Sequence, residues 1–330
     1  MTKKSISGIQ PTSDLHIGNY LGAIKSWLSF VDTGYDAFAF IADLHAITVF
    51  QDPKKLKESI TSLAAMYIAC GLDVEKCPIF VQSSIPEHAE LGWILGCFTS
   101  GGWLNRMTQY KEKSAKYKES SSLGLYSYPV LQAADILLYQ VDEVPVGEDQ
   151  KQHVELTRDI AESFNRQTNS SVLKLPRHVI PKESARIMSL RDGTSKMSKS
   201  DESDYSRINL NDSADLIQLK FKKAKSDSIK EVYFDKENRP EISNLMNIYS
   251  AFSNENIKDI EKKYATQYTG HFKSDLADLV VETLRPISEE HKKIMNNRDY
   301  INVILNNGRE RASPIAQKTL REVKEKVGLI

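Results

Sequence analysis

Residues 6–31 read ISGIQPTSDLHIGNYLGAIKSWLSFV. Ile6 to Ile9 is a short, largely apolar run that predicts a strand. From about Gly18 onward, Leu21, Ile24, Leu28 and Val31 recur at helical spacing. A strand passing through a polar turn into an amphipathic helix is the opening unit of an α/β fold. The turn between them carries chemistry of its own. Gly18 has no side chain where the helix starts, so a flat base can lie against its backbone. The helix N-terminus offers unpaired N–H groups and a positive dipole end to phosphate. His16 and Asn19 are side-chain donors within reach of phosphate oxygens. Taken alone, the stretch reads equally well as a capped turn with a structural histidine.

Outward from this stretch the pattern repeats. Ala37 to Ala42 predicts the next strand. Asp52-Pro53 is an N-cap followed by proline at the first helical position, and Leu56, Ile60, Leu63 and Tyr67 lie on one face behind it. Ile79 to Gln82 predicts a third strand, and the helix after Pro86 carries Leu91, Ile94, Leu95 and Phe98. Val144 to Val146 predicts a short strand, and the helix behind it bears Val154, Ile160 and Phe164. Such alternation predicts an α/β, doubly wound parallel sheet covered by helices, which binds ligands beyond the carboxyl ends of its strands. After about Arg191 strand-like runs become rare, apart from Glu231 to Phe234. Helical patterns over Leu216–Lys225, Ile242–Phe252, Ile257–Tyr264 and Leu276–Leu284 predict a second, mostly helical domain. Tyr300 to Ile330 is again helical and is expected to pack back on the first domain. The expected division is 1–190 plus 296–330 for the sheet domain and 191–295 for the helical one.

The chain has 330 residues, enough for one large domain or two ordinary ones. Lys plus Arg and Asp plus Glu are equal at 44 each, which argues against a protein that coats nucleic acid nonspecifically but leaves room for a local basic face. Cys70, Cys77 and Cys97 form no Cys-x-x-Cys pair, which argues against a disulfide framework or a structural metal and fits reduced thiols in the cytoplasm. The start, MTKKSISGIQP, is too short in apolar content for a signal peptide and leaves no room for a transit peptide. No apolar run approaches the roughly 20 residues that span a bilayer, so no membrane partner is expected.

A second motif, Lys196-Met197-Ser198-Lys199-Ser200, stands in a polar loop after the strand-like Ile187–Leu190, with Gly193 nearby. A loop of this kind can close over a polyphosphate and neutralise charge growing on a leaving group. A generic lysine pair would be a solvated basic loop, but this one accompanies the first motif. Both motifs are expected at strand ends in opposite halves of one sheet, facing each other across a single ATP. No G-x-x-x-x-G-K-[ST] loop is present to supply another nucleotide site. Asp135, between Ala134 and Ile136 on an apolar helix, needs a partner, and a structural hydrogen bond is its ordinary reading. His45 could equally be a satisfied core histidine. Lys220-Phe221-Lys222-Lys223-Ala224-Lys225 is ordinarily a solvated helix face and is also a candidate RNA-facing patch. The run Lys111, Lys113, Lys116 and Lys118 carries a similar ambiguity, apart from Lys113.

The pair HIGN and KMSKS resembles the two hallmark motifs of class I aminoacyl-tRNA synthetases. The longer segments SGIQP…HIGNYLGA, ADLHAIT, YPVLQAADILLY, VPVGEDQKQHVELTRDIAESFN, ARIMSL…KMSKS and ISNLMNIYS together resemble the bacterial-type tryptophanyl-tRNA synthetases from end to end. This resemblance implies a Rossmann-like catalytic domain and a helical anticodon-binding domain. It implies activation of L-tryptophan with ATP and Mg²⁺, transfer to tRNA(Trp), a homodimer, and no protein-bound structural metal. Gln10, Pro11, Thr12, Gly18 and Asn19 would contact ATP. Gly147, Glu148 and Asp149 would approach the ribose, and Ile187 the adenine. Lys196, Met197, Ser198, Lys199 and Ser200 would form the loop on the phosphates, with Lys113 a third phosphate cation. His16 and Asn19 join these lysines as catalytic groups. Asp135 would accept the indole N–H, and His45, Tyr128, Gln132, Val144, Val146 and Gln150 would line that pocket.

The chain departs from the family pattern at Thr12-Ser13, where Ser-Gly is frequent, at Ile6, where an aromatic residue is common, and at Gln132, a position often held by methionine. Three rivals remain at this level: a tyrosyl-tRNA synthetase, a synthetase-like paralogue that binds without aminoacylating, and a small-molecule adenylyltransferase.

Overall fold

In the computed structural model, which describes residues 2–12, 15–108, 122–180, 186–199 and 201–330, five strands pair in the order β3-β2-β1-β4-β5. They are β1 (Lys4–Ile9), β2 (Asp36–Ile41), β3 (Ile79–Val81), β4 (Glu143–Pro145) and β5 (Arg177–Val179). Every pair is parallel. The central register runs from Lys4 opposite Asp36 to Ile9 opposite Ile41. Gly8 is what lets the Phe40 ring lie across β1, since a Cβ there would come within 2.3 Å of that ring. The strand order reverses between β1 and β4, which is the point at which open α/β sheets take their ligands. Those two strands pair only through Ser5 and Glu143. The Ser5 hydroxyl adds a bond to the Glu143 carbonyl at 2.7 Å, and the Lys4 N–H donates to Asp142 at 2.9 Å.

Helices cover the sheet as the apolar spacing requires. Asp52 caps the helix Pro53–Ala69 by accepting from the Lys55 N–H at 2.9 Å. Leu91, Ile94 and Leu95 of Glu87–Cys97, Val130, Ala133 and Ala134 of Leu123–Leu137, and Val154, Ile160 and Phe164 of Lys151–Gln167 bury in one core with Ile6, Phe38, Phe40 and Phe80. The helix Arg298–Val327 returns to the sheet and lies on β3. A Cβ on its Gly308 would stand 1.9 Å from the Ile79 carbonyl oxygen, so the contact is backbone on backbone.

Backbone contacts divide the chain into two compact units. The first takes Met1–Thr12, Trp27–Lys182 and Asn297–Ile330, and the second takes Ser13–Ser26 and Glu183–Asn296. The second unit therefore includes the start of the first motif's helix and the residues from Glu183, whereas the expected division began its second domain at 191. It is built from helices Ala214–Lys223, Pro240–Ser253, Ile257–Tyr264 and Thr269–Met295, with Tyr249, Tyr264 and Phe272 stacked edge and face at its centre. No helix among the described residues is long and apolar enough to cross a membrane.

Four expectations need correction. Ile187–Leu190 is not a sheet strand: it forms one isolated antiparallel bridge, Met188 to Lys196. The second motif therefore does not sit at the end of a strand of the sheet. Glu231–Phe234 is irregular, because it wraps a buried guanidinium. Arg239, 2% exposed, donates to Asp227 at 2.8 and 2.9 Å and to the Glu231 carbonyl at 3.0 Å, with the Tyr233 ring 4.2 Å away. Within the lysine run Lys222, Lys223 and Lys225 are exposed, but Lys220 is not part of that face. Lys220 is fully buried between Asp204 and Asp212, both at 2.7 Å, and Lys225 pairs with Glu241 at 2.7 Å. Finally, the helix after Gly18 contains a π-helical turn, Tyr20–Ile24, before Lys25–Asp32. In Lys25–Asp32 the buried residues are Trp27 and Val31, and Leu28 is only partly buried.

Candidate active site

In the first unit the polar residues gather around Asp135. The carboxylate lies on Leu123–Leu137, the helix predicted as apolar, and is 1% exposed. A charge so buried must be paired, and it is. The His45 Nε2 lies 2.7 Å from Oδ2, and the Gln82 amide donates to Oδ1 at 2.7 Å. The His88 Nδ1 reaches Oδ1 at 2.7 Å, and the His88 Nε2 meets the Tyr139 hydroxyl at 2.8 Å. Burial pushes the Asp135 carboxyl up. The hydrogen bonds from His45 and His88 outweigh it and hold the group at about 2, so it is ionised at neutral pH.

Two of the partners are placed by strand ends and the third, His88, by the helix Glu87–Cys97. His45 sits on the turn Asp43–Ala46 directly after β2, and Gln82 directly after β3. These two loops are tied together: the Leu44 N–H donates to the Gln82 side chain at 3.1 Å, the Ser83 N–H donates to Asp43 at 3.0 Å, and the Ser83 hydroxyl bonds the same carboxylate. Tyr128 stands edge-on to His45, ring centres 6.3 Å apart, and its hydroxyl bonds the buried His153 at 2.9 Å. Gln132 and Gln150 meet at 3.4 Å. Val144 is buried in β4, and Val146, just beyond it, packs on the same core. Gln10, Pro11 and Thr12 follow β1, and the exposed Gly147, Glu148 and Asp149 follow β4, so both groups leave the sheet at its switch point.

The second unit brings the two hallmark motifs together. His16 bridges Asn209 in an antiparallel pair, the Ile17 N–H donates to the Ile208 carbonyl at 2.9 Å, and the Leu210 N–H donates to the Leu15 carbonyl at 2.8 Å. The Asn19 side chain accepts from the His16 N–H at 3.2 Å, which closes the first turn. His16 is 3% exposed, and its Nδ1 is buried with no partner among the described residues. Burial, then the charges of Lys199, Arg207 and Lys196, push its imidazole down to about 3, so it is neutral at pH 7. The space over Gly18 is shared: a Cβ there would meet the His16 ring at 3.0 Å and Ile187 at 3.7 Å.

Ile187 and Met197 are both 2% exposed and joined by a Met197 N–H to Ile187 carbonyl bond at 3.1 Å. Asn244 holds this segment like a strand partner. Its amide accepts from the Met188 N–H at 2.9 Å and donates to the Met188 carbonyl at 3.0 Å. Lys196 and Lys199 thus stand with Arg207 around a neutral imidazole, a cationic lining suited to phosphate oxygens. Lys113 and Ser200 lie outside the described residues.

Sequence reasoning did not assign Gln82, His88, Tyr139, His153, Arg207 or Asn244. A signal existed for two of them. His88 falls three residues from both Ile85 and Leu91 on a buried helix face, and Tyr139 follows Asp135 by four.

A family model described as tRNA synthetases class I (W and Y) matches residues 3–285. The chain is 52% identical over 330 residues to a tryptophan–tRNA ligase of Rickettsia conorii, covering all of both chains. Its fold matches a tryptophanyl-tRNA synthetase of Mycoplasma pneumoniae with a TM-score of 0.90 at 35% identity, over 99% of this chain and 98% of that one. It matches a Campylobacter jejuni tryptophanyl-tRNA synthetase, complexed with ADP and tryptophan, at 0.85 and 36% identity, over 98% and 99%.

Proposed function

We infer the activity from one premise: the chain belongs to the class I tRNA synthetases of the tryptophan and tyrosine type. It is a tryptophan–tRNA ligase, converting ATP, L-tryptophan and tRNA(Trp) to AMP, diphosphate and L-tryptophanyl-tRNA. The tryptophan carboxylate attacks the α-phosphate of ATP in line, diphosphate leaves, and a terminal ribose hydroxyl of the tRNA then attacks the carbonyl of the adenylate and releases AMP. No protein nucleophile is needed. Catalysis is positioning together with stabilisation of phosphate charge.

The observation that carries the choice of substrate is the buried, ionised Asp135. An ionised carboxylate is acceptor-only, and the indole N–H is the one donor that separates tryptophan from other large apolar side chains. Around it, His45, Tyr128, Gln132, Val144, Val146 and Gln150 form the remaining wall. Gln10, Pro11, Thr12, Gly18 and Asn19 take the nucleotide with Gly147, Glu148, Asp149 and Ile187. Lys196, Met197, Ser198, Lys199 and Ser200, with His16 and Lys113, meet its phosphates. The nucleotide comes as its Mg²⁺ complex. The charged side chains beside His16 are Lys199, Arg207 and Lys196, which suits a cation carried by phosphate oxygens rather than by a carboxylate cage. Residues 191–295 bear the anticodon contacts, the functional form is a homodimer, and the place of action is the cytoplasm, where a tRNA ligase meets its substrates.

Exchange of labelled pyrophosphate into ATP, driven by one purified amino acid at a time, tests the reading. Tryptophan should support it, with tyrosine and phenylalanine far weaker. Equal exchange with tyrosine would remove the tryptophan assignment, and no exchange with any amino acid would leave a binding paralogue. Sedimentation at micromolar concentration tests the homodimer, which a monomer mass would refute.

A further inference from the structure

We propose that His88, oriented by Tyr139, governs tryptophan selectivity by holding Asp135 so that one acceptor position alone remains for the indole N–H. This rests on the reading of Asp135 as the indole acceptor.

The argument is a count of lone pairs. An ionised carboxylate offers about four acceptor sites. Among the described residues Gln82 and His88 fill both sites of Oδ1, each at 2.7 Å, and His45 fills one site of Oδ2, also at 2.7 Å. The site left over is on Oδ2, the oxygen that shares His45 with the Tyr128 side of the centre.

The donor directions are fixed by the partners. To face a carboxylate, the His88 Nδ1 must carry its hydrogen, so in the neutral ring Nε2 is an acceptor. The group 2.8 Å from Nε2 is the Tyr139 hydroxyl. Burial, with Asp135 and Glu87 adding to it, pushes that phenol well above its usual range, so it keeps the proton it donates. The chain therefore runs from Tyr139 O–H to His88 Nε2, and from His88 Nδ1–H to Asp135 Oδ1.

His88 is 0% exposed and packed among Phe40, Phe80 and Tyr139, with ring centres 5.9, 6.0 and 5.5 Å away. It acts through Asp135 and is a positioning residue. Without its N–H, Oδ1 regains an open site. The carboxylate can then turn or take a water, and a ligand lacking the indole N–H no longer leaves a lone buried acceptor unpaired. The discrimination that an unpaired buried acceptor supplies is lost with it.

The test measures kcat/KM in pyrophosphate exchange for tryptophan and for the analogue with sulfur in place of the indole N–H. The ratio of the two is the readout, and a merely structural role would not move it. In His88→Leu the preference for tryptophan should fall about tenfold. In His88→Asn, whose side-chain N–H sits where Nδ1–H was, most of it should return. Tyr139→Phe, which removes one hydroxyl, should fall between and serves where the leucine variant does not fold. An unchanged ratio in His88→Leu, or in Tyr139→Phe if that variant alone folds, overturns the proposal, as does failure of His88→Asn to restore it. Asp135→Ala, which leaves no side-chain acceptor, in parallel separates the layers. A ratio unchanged there defeats the indole-acceptor reading itself, whereas a ratio lost there but kept in His88→Leu defeats only the role of His88.

Discussion

Replacing Lys220 by methionine tests the correction made to the lysine run. The Lys220 ammonium is fully buried and bonds Asp204 and Asp212 at 2.7 Å each. Methionine keeps the volume and removes the charge. The loss is two charge-assisted bonds, and the residue left behind is Asp212, whose side chain is 7% exposed, next to a second carboxylate. Removing one partner of a buried ion pair costs about 3–5 kcal/mol. Asp204 is 49% exposed and can turn to water, which places the expected loss at the low end, about 3 kcal/mol. For a chain of this size that is a fall in melting temperature of roughly 4 °C. Thermal denaturation followed by circular dichroism measures it, with Lys222→Met, on the exposed face of the same helix, as the control that should not move. The affinity for tRNA should be the same in both folded variants. If Lys220→Met melts with the parent and binds tRNA more weakly, the lysine is an RNA contact after all and the reasoning from burial fails.

Three further outcomes follow from the second unit. Lys199→Ala should slow adenylate formation by roughly a hundredfold, about 3 kcal/mol, with tryptophan binding unchanged; single-turnover kinetics showing only weaker tryptophan binding would refute it. Asn244→Asp keeps the acceptor for the Met188 N–H and replaces the donor to its carbonyl with a second acceptor, so it should cost about 2 kcal/mol and slow the same step; an unchanged denaturation midpoint would show that the clamp carries no load. His16 gives a pH dependence. Its folded value of about 3 lies below the ordinary 6.5, so its contribution is whole above pH 6.5 and declines as the pH falls toward about 3. At pH 5 the unfolded chain has taken up the proton and the folded one has not, a loss of about 2 kcal/mol. Denaturation midpoints at pH 7 and 5 should converge for His16→Asn relative to the parent, and identical pH slopes would refute the burial argument.

Much of the fold was legible because period and chemistry agreed. β1, β2 and β3 are apolar runs ending in polar turns, and the helices behind them bury the residues their spacing marked. What was missed has local causes. β5 is three residues, Arg177–Val179, between Pro176 and Pro181, too short for any alternation to show. Val232 and Phe234 alternate like a strand, but the backbone here bonds side chains: the Glu231 carbonyl accepts from Arg239 and the Phe234 N–H donates to Glu261. Lys220 was judged by its charged neighbours, yet Ile217, Lys220, Phe221 and Ala224 share one helical face, and all four are buried. At the site, the residues of the two motifs could be named because they are polar where the chain turns. Gln82 and His88 were not, because they reach Asp135 from two other elements, and only tertiary structure places them on one carboxylate.

The return of Arg298–Val327 to β3 has a consequence during synthesis. Ile79 and the backbone around it are covered by a glycine made more than two hundred residues later. At elongation rates of about 5–20 residues per second, roughly 10 to 50 s separate the emergence of β3 from that of its cover. Throughout that interval the nascent sheet has an apolar strand without its lid, a natural target for holdase chaperones. A ribosome that stalls or drops off late leaves a chain carrying every motif of the active site and no means of closing its first unit. Covering β3 therefore waits on the synthesis of Arg298–Val327.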